Sequence, residues 1–142
     1  MKRLSILMLL LFVAIIGAAC SASTANIKSA TLGTGYDSTT QQVTGPTTTF
    51  SPSDVFHCAI EVANAPEDTT VRTVWTAVEA TDAAGAVLKD EKIEEATFTT
   101  KDIGSVVHAS LSLPNPWPIG KYKIDIYLDD KLDRTLEFTV AE

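Results

Sequence analysis

From Phe50 onward apolar side chains recur at every second position, and this period of two constrains the fold of the 142-residue chain more than any other feature. Val55 to Ala63 sets Phe56, Cys58, Ile60 and Val62 on one face and His57, Ala59 and Glu61 on the other. Val71 to Thr81 repeats the pattern with Val71, Thr73, Trp75 and Ala77. A later strand, introduced by Gly104, turns Val107, Ala109, Leu111 and Leu113 inward and His108, Ser110 and Ser112 outward. Tyr122, Ile124, Ile126 and Leu128 form another inward row, and Leu136, Phe138 and Val140 form the last. No stretch carries helical spacing. Turn residues separate the runs: Asn64 to Asp68, Ala83-Ala84-Gly85, the proline-rich Pro114 to Gly120, and Asp129-Asp130-Lys131. Alternation punctuated in this way predicts an all-β sandwich of about seven antiparallel strands.

The first twenty residues follow different rules. Lys2 and Arg3 precede an apolar run from Leu4 to Ile16 interrupted only by Ser5, then Gly17-Ala18-Ala19 and Cys20. A basic start, an apolar centre and small residues before a cleavage point make a secretory signal. The run is shorter than the roughly 20 apolar residues a spanning helix needs. A cysteine at that place resembles the lipobox of bacterial lipoproteins. The resemblance implies that residues 1–19 are removed, and that Cys20 is acylated with palmitate-type chains and becomes the N-terminus. It further implies an extracytoplasmic domain of the cell envelope, held to a membrane by its lipid. Two or more acyl chains give stable anchoring.

Residues 20–25 then read as a short tether and 26–142 as the sandwich domain. Residues 26–32 are its first strand and 33–49 a Ser/Thr-rich loop, since Ser21 to Thr49 holds thirteen Ser and Thr among twenty-nine residues. Removing the signal takes the formal charge from −7 to −9. Nucleic acids and anionic head groups need a basic footprint, so that balance argues against both as partners. With Cys20 acylated, Cys58 is the one thiol left, and a disulfide within the chain is excluded.

Cys58 inward on one strand and Trp75 inward on the next resemble an immunoglobulin-like domain, which pairs a second-strand cysteine with a third-strand tryptophan. Gly120-Lys121-Tyr122 resembles the tyrosine corner of the same fold; the second cysteine would fall two residues later, where this chain has Ile124. The resemblance covers about Asn26 to Glu142 and implies the fold alone, because immunoglobulin-like domains host many functions.

Motifs for catalysis are missing: there is no Gly-x-Ser-x-Gly, no phosphate-cradling glycine loop and no His-Glu-x-x-His. The expected role is therefore non-catalytic and free of cofactors. It is a lipid-anchored binding or scaffold module that recognises a protein or cell-envelope partner. Candidate partner-binding residues are Trp117, an aromatic on a stiff proline-rich loop, and Asp125 and Tyr127 on the outward face of the following strand. The alternative is a small-ligand or metal-binding lipoprotein. His57, His108 and Glu61 share an outward sheet face, and imidazole with carboxylate suits Zn²⁺ or Cu²⁺. The acidic runs Asp90 to Glu95 and Asp129-Asp130 read as a charge-protected edge strand and a hairpin turn.

Overall fold

The computed structural model describes residues 24–100 and 105–142. The expected signal segment 1–19 and the expected acylation site Cys20 lie outside the described residues, as does Gly104. Nine strands are found among the described residues: β1 (Asn26–Asp37), β2 (Gln42–Pro46), β3 (Thr49–Phe50), β4 (Phe56–Ala63), β5 (Thr70–Thr81), β6 (Val87–Thr99), β7 (Val106–Leu111), β8 (Ile119–Leu128) and β9 (Lys131–Val140). They build a four-stranded sheet ordered β2-β1-β4-β7 and a five-stranded sheet ordered β3-β9-β8-β5-β6. No described helix is long and apolar enough to cross a membrane.

The inward rows of the two sheets meet in one core. Phe56, Cys58, Ile60, Val107 and Leu111 face Val71, Trp75, Tyr122, Ile124, Ile126 and Phe138, all buried. Phe56 stands at its aromatic centre, with its ring centroid 4.8 Å from Phe50 and 4.9 Å from Phe138. Trp75 pairs across the sheet with Ile124, so an aliphatic side chain occupies the place of the second cysteine. The Tyr122 hydroxyl donates to the Pro118 carbonyl four residues upstream at 2.6 Å, which closes a tyrosine corner. Strand order, the Cys58–Trp75 rows and this corner make the sandwich immunoglobulin-like. Burial pushes the Cys58 thiol up to about 12, so it stays protonated and acts as core filler.

Three expectations are corrected. Residues 33–49 are not a loop: β1 continues to Asp37, and β2 and β3 lie in the same stretch. Glycine reads as a break in sequence, yet here it allows two strands to approach closely. A Cβ at Gly33 would come within 2.2 Å of Val43 Cγ1 and 2.8 Å of the Gly45 carbonyl oxygen. The strands are also not all antiparallel, because the two-residue β3 runs parallel to the end of β9, placing Thr49 opposite Thr139 and Phe50 opposite Val140. Finally, Leu113 lies past the end of β7 and is exposed.

Two turns follow their residues closely. Asp129 and Asp130 both adopt left-handed φ values of 47° and 63°, the pairing demanded by a two-residue hairpin that keeps the strand twist. The charged β6 is an edge strand, where its lysines and carboxylates oppose pairing with another chain.

Candidate functional site

Trp117, one of the candidate partner-binding residues, is buried at 4% exposure. Its indole stacks on Phe56 with centroids 4.3 Å apart, and its Nε1 donates to the Asp54 carbonyl at 2.9 Å. Its backbone N–H donates to the Pro52 carbonyl at 2.7 Å. The proline-rich loop thus folds the indole back to close the end of the sandwich. Burial of an aromatic beside Phe56 and Tyr122 outweighs leaving it in water.

Asp125 and Tyr127 do share the outward face of the five-stranded sheet, but neither is a free contact. Asp125 is buried: Thr135 from the neighbouring strand donates its hydroxyl to Oδ1, and Lys123 Nζ lies 2.8 Å from Oδ2. Tyr127 lies under the Arg72 guanidinium, whose Cζ is 3.9 Å from the ring centroid. Arg72 also pairs with Glu95 at 3.5 Å and Asp130 at 3.6 Å. These polar groups satisfy one another across four strands.

The outer face of the other sheet carries the candidate site. Register sets three rows across β1, β4 and β7: Ser29–Glu61–Val106, Thr31–Ala59–His108 and Gly33–His57–Ser110. The two histidines are therefore diagonal neighbours, within reach of long side chains. His57 Nδ1 and His108 Nε2 lie 2.9 Å apart, one donating and the other accepting, with rings nearly parallel at 10°. Partial burial lowers the pKa of both, and the charge of His57 lowers that of His108 further. Glu61 does not join them. It accepts from Lys28 Nζ at 2.8 Å and from the Ser29 hydroxyl at 3.4 Å, and the lysine holds its carboxyl below the usual range. Among the described residues no group of three or more His, Cys, Asp or Glu side chains is placed to hold a metal ion. The alternative ligand set His57, His108 and Glu61 is thus not assembled: the histidines bond to each other, and Glu61 is held by Lys28 and Ser29.

Beyond Gly33 the chain curls back over this face as the β1–β2 hairpin. Asp37 Oδ1 accepts the backbone N–H groups of Thr39 at 2.8 Å and Thr40 at 3.3 Å, and this fixes the turn. Gln41 and Gly45 take left-handed φ values of 57° and 58°, bending the returning strand. The Tyr36 ring lies flat on His108, with centroids 3.7 Å apart and planes within 3°. Between hairpin and sheet is a cleft of about 410 Å³. Ser29, Thr31, Ala59, Glu61 and Val106 form one wall, and Thr40, Gln41, Gln42, Val43 and Pro46 line the rest. Its hydrogen-bonding groups are hydroxyls and amides, together with one carboxylate already neutralised by Lys28. Tyr36 and the glutamines carry no motif, so only the fold-back of the hairpin reveals them.

No protein-family model and no curated protein sequence matches the chain. Among solved structures it is similar to an immunoglobulin-like protein from Pseudomonas aeruginosa, at 14% identity over 82% of this chain and 96% of that one, with a TM-score of 0.48. It is also similar to part of an alkylpurine DNA glycosylase from Pseudomonas fluorescens, at 10% identity over 86% of this chain and 32% of that one (TM-score 0.44). A β-glucosidase involved in saponin metabolism from intestinal bacteria shares 15% identity over 84% of this chain and 16% of its own length, with a TM-score of 0.46. Likenesses this distant transfer neither activity nor partner.

Proposed function

We propose that the protein is a non-catalytic binding module of the cell envelope, anchored to a membrane through acylated Cys20. Its recognition surface is the hairpin side of the four-stranded sheet. The observation that carries this reading is the cleft beneath the β1–β2 hairpin, built from four strands and a turn pre-set by Asp37. Its volume falls in the range of about 300–1,000 Å³ typical of binding pockets. Its charge is internally balanced by the Lys28–Glu61 pair. Such a lining suits an uncharged partner segment rich in hydroxyl and amide groups, which exchanges water for hydrogen bonds to Thr31, Thr40, Gln41 and Gln42. The opposite sheet face, where Arg72, Tyr127, Lys123 and Asp125 are engaged with one another, offers less to a partner.

A photo-crosslinking side chain placed in cells at Gln42, or at Lys121 on the opposite sheet, tests the assignment. Both positions are exposed. Adducts formed from Gln42 and not from Lys121, and lost when Thr31→Arg fills the cleft, are the expected result. Equal labelling from both positions, or labelling from Lys121 alone, would overturn it.

A further inference from the structure

We infer that Tyr36, His108 and His57 form a proton-operated latch that holds the β1–β2 hairpin over the cleft. The inference concerns regulation of the site proposed above and rests on that reading for its consequence. The latch itself is a property of the free domain.

The geometry requires particular protonation states. A shared N···N distance of 2.9 Å needs one N–H and one lone pair between the rings. One proton added to the non-bridging nitrogen of the donor ring keeps that bond and makes it charge-assisted. A second proton must take the bridging lone pair, so the bond is lost and two imidazolium rings are left with centroids 5.2 Å apart. Each then needs water or an acceptor on its bridging nitrogen. The Tyr36 ring, stacked face to face on His108 at 3.7 Å, covers one side of that ring and supplies no acceptor there. Repulsion that displaces His108 takes away the surface on which Tyr36 is stacked, and Tyr36 belongs to the hairpin that roofs the cleft.

The remaining charged and titratable groups do not substitute for the lost bond. From β1 the pair faces Tyr36 and, further along, Lys28; from β4 it faces Glu61, which Lys28 already neutralises. Strand β2 carries no titratable residue, and β7 carries His108 alone. Asp37, at the end of β1, is committed to the turn amides of Thr39 and Thr40. Partial burial disfavours the charged form of both imidazoles, so the hairpin is closed at neutral pH and opens on acidification.

The test is amide hydrogen exchange on the free soluble domain, scanned from about pH 7.5 to about pH 4 and corrected for intrinsic exchange, where histidine charge changes. Thr44 and Val43, which pair with Gly35 and Tyr36, report on the hairpin, while Ile124 and Ile126 report on the core. The expected result is a loss of protection at β2 by about tenfold or more as the second proton binds, with the core unchanged. His57→Gln/His108→Phe keeps an aromatic surface under Tyr36 and is expected to stay protected across the range. Tyr36→Ala is expected to be open at every pH. Equal pH dependence in the double variant, or uniform protection of wild-type β2 throughout, would overturn the latch. Opening in the free domain without pH-dependent crosslinking from Gln42 would instead overturn the recognition reading and leave the latch standing.

Discussion

Removing Trp117 separates a structural plug from a surface anchor by magnitude. The indole is 4% exposed, stacked on Phe56 and hydrogen-bonded to the Asp54 carbonyl. Burying an aromatic of about 150–250 Å² at about 25 cal/mol/Å² corresponds to roughly 4–6 kcal/mol, an upper figure because unfolded chains already bury some of it. Truncations of this kind measure about 3–5 kcal/mol. Trp117→Ala is therefore expected to lose about 3–5 kcal/mol, a large share of the roughly 5–15 kcal/mol typical of a domain. Trp117→Phe keeps most of the ring contact but leaves the Asp54 carbonyl without its donor, so about 1–3 kcal/mol is expected. Urea unfolding followed by the fluorescence of the other tryptophan, the fully buried Trp75, measures both, with a constant m-value checking that the transition stays two-state. Losses within about 0.5 kcal/mol, the range of exposed positions, would refute the plug and return Trp117 to the surface.

Other expectations follow from single features of the structure. Thr73 Oγ1 is buried without a hydrogen-bond partner among the described residues, so Thr73→Val should raise stability by about 1–2 kcal/mol in the same urea assay. Gly33→Ala would force backbone atoms of β2 away, since Gly45 O and Thr44 O lie 2.8 Å from the added Cβ. A loss of about 1–3 kcal/mol, with β2 exchange accelerated before any other strand, is expected. For His57 and His108 the folded pKa lies below the unfolded value of 6.5. The unfolded chain then binds more protons just below that value, so stability is complete above about pH 6.5 and falls as the pH drops toward the folded values. Chemical denaturation across this window should show the slope in wild type and not in His57→Gln/His108→Phe.

The parts of the fold legible in sequence are those fixed by neighbours two residues apart. Phe56, Cys58, Ile60 and Val62 on one face of β4, and Tyr122, Ile124 and Ile126 on β8, follow directly from alternation. The tyrosine corner is equally local, spanning Pro118 to Tyr122. What escaped the sequence depends on distant pairing. The burial of Asp125 is decided by Thr135 on the next strand, and the carbonyl that holds the Trp117 indole lies 63 positions away. The outward placement of both histidines was readable, but the diagonal register that brings their nitrogens together required β4 and β7 to be aligned. In sequence the hairpin reads as a loop because Gly33, Gly35 and Gly45 interrupt any apolar pattern. Yet the absence of side chains at those positions is what lets β2 lie so close to β1.

The envelope-anchored reading is tested most directly by the intact mass and detergent partitioning of the protein expressed in a bacterial host, wild type beside Cys20→Ala. The account predicts a mature wild-type chain beginning at Cys20 and carrying acyl chains, with partitioning into detergent lost in the variant. An unacylated product that stays in the aqueous phase in both would contradict it and leave Cys20 as a free thiol on a secreted domain.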